Sequence, residues 1–196
     1  MSRLTVVGIS GNLTRPSRTR SLVDAILAEV ERRDIGKTKS FDIVDAGTEI
    51  GAALSRDGAP ERLIRILSAI ENADVLVAAS PVYKASYTGL FKHLFDLLDP
   101  KALEGRHVLL AATGGSDRHA LVIDHQLRPL FGFFNAHVLP ISLYAANDDF
   151  DASGRPTEST IARIGRAVGQ LAHIAPERDA DRAREEKHIS ILQHVD

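Results

Sequence analysis

The 196-residue chain contains no cysteine, which removes disulfides, thiolate metal sites, iron–sulfur clusters and a cysteine nucleophile together. It also lacks a charge excess. A formal net charge of −2 and a pI near 6.4 leave no electrostatic footprint for DNA, RNA or an anionic membrane. No run approaches the roughly 18 apolar residues that a membrane-spanning helix needs. Met1-Ser2-Arg3, followed at once by a strand pattern, carries no signal-peptide stretch. The loop after the first apolar run has neither GxGxxG nor the Gly-Lys-Ser/Thr of a P-loop, and the chain has no GxSxG or HExxH. Asn147-Asp148-Asp149-Phe150-Asp151 lacks EF-hand spacing and reads as a solvated turn. His119 and His125, six residues apart, do not share a helix face and have no carboxylate cluster beside them, so no metal site is expected. A soluble, cytoplasmic protein is the expectation.

What the chain does have is a regular alternation of short apolar runs and helix-period segments. With 44% apolar residues, a chain of this length buries about 70% of its unfolded surface in one core, so one domain is expected over residues 1–175. Leu4-Thr5-Val6-Val7 with Ile9 reads as the first strand, and Ser17 or Arg18 opens a helix to about Arg33, with Leu22, Val23, Ile26, Leu27 and Val30 on one face. Phe41-Asp42-Ile43-Val44 reads as a second strand. Ala46 to Pro60 is Gly-rich and irregular, long enough for a functional loop or a subunit contact. Pro60 then starts a helix whose buried side is Leu63, Ile64, Ile66, Leu67 and Ile70. Val75 to Ala79 is a third strand, Leu90 to Leu98 a helix, His107 to Ala112 a fourth strand and Asp117 to Asn135 a long helix. His137-Val138-Leu139 with Ile141-Ser142-Leu143 forms a fifth strand bent at Pro140, and Thr157 to about Ala175 a last helix. Residues 176–196 form a charged tail, solvated or disordered, with Ile189, Ile191, Leu192 and Val195 available to dock on a partner subunit. Short continuous strands alternating with helices imply a parallel α/β sheet covered on both faces. Five such units fit the flavodoxin-like winding, order 2-1-3-4-5, whose crevice opens between strands 1 and 3.

Three loops should then meet. The first, Ser10 to Ser21, offers Ser10, Asn12, Arg15, Ser17, Arg18 and Thr19 at a helix amino terminus. Exposed N–H groups, the helix dipole and guanidinium forks suit a phosphomonoester there; a plain helix cap with solvated arginines is the competing reading. In the second, Pro81 stiffens the chain while Val82, Tyr83 and Lys84 can present backbone amides and an aromatic face to a ring. An ordinary strand-to-helix turn is its alternative. The third, Thr113-Gly114-Gly115-Ser116, allows close backbone approach, and His119 one turn later faces either the same crevice or water. Phosphate donors, a ring-contacting loop and a glycine pair together describe a mononucleotide with a large planar base, and flavin mononucleotide (FMN) fits best.

The strings SPVYKASYTGLFKHLFDLL, AATGGSDRHALVIDHQLRPLF and RPSRTRS resemble the NAD(P)H-dependent FMN reductases of two-component alkanesulfonate and methanesulfonate monooxygenase systems, the methanesulfonate branch most closely. The similarity runs from about Leu4 to Ala146. It implies that Ser10, Ser17, Arg18 and Thr19 hold the FMN phosphate, that Pro81 to Lys84 lie along the isoalloxazine edge, and that Thr113 to Ser116 support the ring from the other side. Gly11-Asn12-Leu13-Thr14 departs from the relatives' pattern in this loop. The implied activity is hydride transfer from NADH or NADPH to FMN, with FMNH2 leaving for a separate oxygenase. Such a transfer requires two stacked rings rather than a protein nucleophile, so no acid–base residue is assigned. Arg15 or Arg118 could meet a 2′-phosphate.

Pro129 lies well inside the expected fourth helix and has no N–H for the carbonyl of His125, so the helix must kink or widen there. In the alkanesulfonate relatives a π-helical insertion at the matching position carries a tyrosine at the tetramer interface; here that position is His125. The resemblance therefore implies a subunit interface at His125 that influences flavin retention. Leu90, Phe91, Leu94, Phe95, Leu97 and Leu98 form a stripe wider than one face needs, which favours a homodimer or homotetramer. Two alternatives stay open: a quinone or azo reductase with tightly held FMN, and a non-enzymatic flavodoxin-type electron carrier.

Overall fold

The computed structural model describes residues 3–174, and the expected tail, residues 176–196, lies outside them. At its centre are three parallel strands: β1 (Leu4–Ser10), β3 (Val75–Pro81) and β4 (His107–Thr113). Their continuous apolar sequences match burial on both faces. Further out lie β2 (Gly36–Asp42) beside β1, and β5 (His137–Val138) and β6 (Leu143–Ala145), both beside β4. The order is 2-1-3-4-5, the flavodoxin-like winding, with β6 as a second short partner of β4. The fifth strand is thus two pieces separated at Pro140.

Each face of the sheet carries its own apolar cluster. Helix α1 (Arg18–Arg32) buries Leu22, Val23, Ile26, Leu27 and Val30 on one face, joined by α6 (Glu158–Gly169) through Ile164 and Val168. The approach of α1 is close: a Cβ at Gly8 would lie 2.6 Å from Val23 and 2.8 Å from Leu27, so β1 needs glycine at that point. The opposite face is covered by α3 (Glu61–Glu71), α4 (Gly89–Asp96) and α5 (Arg128–Phe133).

Three expectations are corrected. Strand β2 begins at Gly36 and ends at Asp42, while Ile43 and Val44 open a short helix, α2 (Ile43–Ala46). As an edge strand β2 is largely polar, so it has no apolar run to betray it. Asp42 stops it by capping α2: its carboxylate accepts from the Asp45 N–H, and the Asp45 carboxylate accepts from the Asp42 N–H. Second, the long helix expected over Asp117–Asn135 is three pieces: a 3₁₀ turn at Asp117–His119, a π turn at Ile123–Leu127, and α5. Pro129, without an N–H for the His125 carbonyl, lies just beyond the widened turn. The last helix likewise gives way to a 3₁₀ turn at Gln170–His173.

The third correction concerns α4. Phe91 is 0% and Phe95 1% exposed within a single chain. Phe95 packs between Phe91 (ring centroids 4.9 Å) and Phe131 (5.0 Å, edge-on). Both rings are therefore covered within the chain itself, Phe95 by α5, so the width of the stripe is no argument of its own for a second subunit. Replacing Phe95 by alanine is expected to cost about 3–5 kcal/mol of stability, read by urea unfolding; a loss below about 1 kcal/mol would contradict this packing.

Candidate active site

The loops after β1, β3 and β4 enclose a crevice of about 360 Å³ at the carboxyl ends of the strands, within the range of small-ligand sites. Ser17 caps α1 with extended backbone, its hydroxyl accepting from the Arg20 N–H at 3.3 Å, and the first helical turn holds no acidic residue. The N–H groups of Arg18 and Thr19 therefore sit at the open, electropositive end of a 15-residue helix. Thr19 is buried, its hydroxyl 2.6 Å from that of Thr113, which ties the first loop to the end of β4. The Arg18 guanidinium donates to the Asn147 side chain at 2.6 Å and lies 5.8 Å from the Phe150 ring centre.

Ser10, Asn12 and Arg15 occupy the same loop but work behind it. Ser10 is fully buried and donates to Asn12 Oδ1 at 2.5 Å. The Asn12 amide donates to the Thr14 carbonyl and to Asp42, each at 3.1 Å. Arg15 places Nε and Nη2 on the two oxygens of Asp42, each at 2.8 Å, and reaches Asp45. Burial alone would push the Asp42 carboxyl up; hydrogen bonds from Arg15, Asn12 and the Asp45 backbone outweigh it and hold the group below its ordinary value. Of the three, only Asn12 borders the crevice, and its side chain is fully engaged.

In the second loop, Pro81, Val82 and Tyr83 line the crevice, with Tyr83 49% exposed at its rim. Two of the three backbone amides expected to face a ring are instead consumed: the Val82 N–H donates to the Thr113 carbonyl at 2.7 Å and the Tyr83 N–H to the Ser86 carbonyl at 2.8 Å. Lys84 and Ala85 carry φ of 50° and 68°, the two left-handed positions of a tight turn. Lys84 is exposed and outside the lining.

The two glycines of the third loop differ in their surroundings. A Cβ on Gly114 would collide with the hydroxyl of Tyr144, whereas one on Gly115 would meet nothing within 4 Å. Gly115 is thus the open wall. Tyr144 donates to the Ser116 carbonyl at 2.6 Å. Burial, with the charges of Asp117 and Asp149, raises its phenol pKa and keeps it a donor. Ser116 and His119 are not in the lining; His119 is half-buried in the 3₁₀ turn.

Asn147 and Phe150 were not anticipated and do line the crevice. Their segment reads as a solvated turn, but Asp149 anchors it by accepting from the Ala146 N–H and from Arg163, each at 2.8 Å. A phenylalanine inside that polar run, 7% exposed, was the available signal. His125 stands elsewhere: exposed on the π turn, it borders an apolar groove of about 510 Å³ between α4 and α5, where Phe133 is 67% exposed. A third hollow, about 560 Å³, is lined by Arg15, Arg20, Arg62 and Arg65. Each is already paired with a carboxylate, so the charges cancel and the crevice is the better candidate. Among the described residues no cluster of three or more His, Cys, Asp or Glu could hold a metal, and no helix is long and apolar enough to cross a membrane.

A cationic helix end, an aromatic rim and an open glycine wall suit a phosphorylated planar ligand. The comparisons agree. Residues 4–151 match the family model described as NADPH-dependent FMN reductase. A Pseudomonas aeruginosa protein named FMN reductase (NADPH) is 49% identical over 86% of this chain and 91% of its own. A Pseudomonas fluorescens protein named NADH-dependent FMN reductase SfnF is 51% identical over 89% of this chain and 94% of its own. Among solved structures, an apo NADH:FMN oxidoreductase (EmoB) aligns with TM-score 0.76 at 30% identity, over 86% of this chain and 88% of that one. A Corynebacterium diphtheriae oxidoreductase aligns with TM-score 0.73 at 38% identity, over 89% and 98%. The chain belongs to the NADPH-dependent FMN reductase family.

Proposed function

We propose that the chain reduces FMN with NADH or NADPH and releases FMNH2 to a separate flavin-dependent monooxygenase of the sulfonate type. The observation that carries this reading is the first turn of α1, free of acidic side chains and opening on the crevice. Ser17, Arg18 and Thr19 hold the phosphate, Pro81 to Tyr83 lie along the ring edge, and Thr113 to Gly115 form the wall opposite. The flavin, when bound, supplies the hydride acceptor. The residues that hold it would bind, orient and leave one ring face open for a nicotinamide, and the proton that completes FMNH2 would come from solvent, so no side chain need supply one. Phosphate held by one exposed arginine and one helix turn suits a flavin that exchanges between turnovers.

Relatives bearing NADPH and NADH in their names leave both coenzymes in view. Arg15 is committed to Asp42 and Asp45. Arg118, exposed on the turn after the glycine pair, is the better reader of a 2′-phosphate. In assembly, the groove beside His125 receives a second copy of this chain as homodimer or homotetramer, in the cytoplasm.

Steady-state oxidation of NADH and NADPH with FMN, FAD and riboflavin, on a preparation that purifies colourless, is the deciding experiment. No oxidation with any flavin would eliminate the enzyme reading, and a yellow preparation that cycles bound FMN would favour a quinone or azo reductase. Arg18→Ala is expected to raise the KM for FMN about tenfold, the weight of one charge-assisted contact, and to leave that for riboflavin within about twofold. Changing His125 to alanine is expected to alter oligomer size by sedimentation and FMN affinity by fluorescence titration; wild-type values for both would refute the assembly reading.

A further inference from the structure

Asp42 lies at the end of β2, 0% exposed, outside the lining of the crevice, yet it gathers more of the first loop than any crevice residue does. Its carboxylate receives Nε and Nη2 of Arg15 at 2.8 Å each, the Asn12 amide at 3.1 Å and the Asp45 N–H at 3.1 Å, with Arg20 Nη1 at 3.4 Å. A buried carboxylate is costly unless its lone pairs are filled, and here they are filled largely by residues 12 and 15 of one loop. Asn12 passes the constraint on: the same amide holds the Thr14 carbonyl, and its oxygen takes the Ser10 hydroxyl. Loop 10–15 is thus fixed at both ends of its arc, from β1 at Ser10 and from β2 through Arg15. It delivers the chain directly to Ser17, the cap of α1.

Capping α2 needs only one oxygen of Asp42 and the Asp45 N–H. The Arg15 fork and the Asn12 amide are surplus to that role, and both belong to the loop that precedes the phosphate-binding turn. We propose that Asp42 is a positioning residue: through Arg15 and Asn12 it holds loop 10–15 so that Ser17 and the first N–H groups of α1 meet a flavin phosphate, and it thereby sets the preference for FMN over riboflavin. This rests on the reading of the α1 amino terminus as the phosphate site. Groups that orient metal ligands are typically worth 10–100-fold in affinity when removed, and a group that orients phosphate donors is expected to act at the lower end of that scale.

The test is fluorescence titration of the full chain with FMN and with riboflavin, giving a Kd ratio for each variant, with circular dichroism as the check on folding. Asp42→Asn keeps size and shape but removes the charge that grips Arg15. Arg15→Gln, at a half-exposed side chain, loosens the same grip without touching the buried carboxylate, should Asp42→Asn fail to fold. In both variants FMN is expected to bind about tenfold more weakly, with riboflavin changed less than about twofold. Equal weakening of both flavins would mean that Asp42 only supports the fold, and the proposal falls. An unchanged preference for FMN in folded Asp42→Asn, where Ser17→Ala lowers that preference, would also overturn the proposal while leaving the phosphate site standing. If wild type itself binds FMN and riboflavin equally and Ser17→Ala changes nothing, the phosphate site fails, and the positioning role with it.

Discussion

The parallel register of β1, β3 and β4 is the constraint on which the rest depends, because it decides which loops meet. Ser10 stands opposite Ala79, and Pro81 opposite Thr113; a one-residue slip would turn every side chain to the other face. The pairing does not stop where the strands do. The Gly11 N–H donates to the Ala79 carbonyl, the Val82 N–H to that of Thr113, and the Gly114 N–H to that of Ala145. The Thr88 hydroxyl adds a bond to the Gly11 carbonyl. Each loop is laced to its neighbour by backbone before any side chain reaches the crevice. Such lacing demands small residues: a Cβ on Gly11 would come within 2.9 Å of both Phe91 and Ser80.

Electrostatics then divides the arginines of the first loop into two kinds. Arg15 is bound to two carboxylates, and their hydrogen bonds hold its guanidinium above its ordinary pKa, Asp42 contributing most. Arg18 is held by a neutral amide and an aromatic ring. Neither contact cancels its charge, whereas the two carboxylates cancel that of Arg15. Arg18 is therefore the one of the two that stays available to an anion. The positive field of the crevice comes from Arg18 and the end of α1, although the sequence places both arginines three residues apart in one loop.

This is also where the sequence was hardest to read. The winding was legible because β1, β3 and β4 are short apolar runs, and the widened turn near His125 because Pro129 lacks an N–H. Strand β2 was misplaced because an edge strand such as Gly36–Asp42 alternates among polar residues, and its last residue doubles as a helix cap. The first loop does border the crevice, yet which of its side chains face it depends on a partner, Asp42, that lies 27 residues beyond Arg15 and belongs to no motif. Asn147 and Phe150 reach the crevice from beyond β6, a juxtaposition no local pattern encodes. Where short-range chemistry decided, sequence sufficed; where a tertiary partner claimed a polar group, it did not.

The turn at Tyr83–Ser86 shows how such partners join the crevice to the groove on the far side of α4. Lys84 and Ala85 occupy left-handed backbone that glycine or asparagine would adopt more readily. For ordinary residues this costs about 1–2 kcal/mol each. The turn is closed by reciprocal bonds between Tyr83 and Ser86, at 2.8 and 3.1 Å. Outside it, the Ser86 hydroxyl donates to Gln126 at 3.1 Å. Gln126 is the neighbour of His125 on the π turn, and both border the apolar groove. Tyr83, at the rim of the crevice, is thus two hydrogen bonds from the groove. A strained turn persists only where its surroundings over-determine it, and here one of those surroundings is the widened helix itself. The turn that carries Tyr83 to the rim of the crevice is thus tied by one side-chain bond to the widened helix that borders the groove.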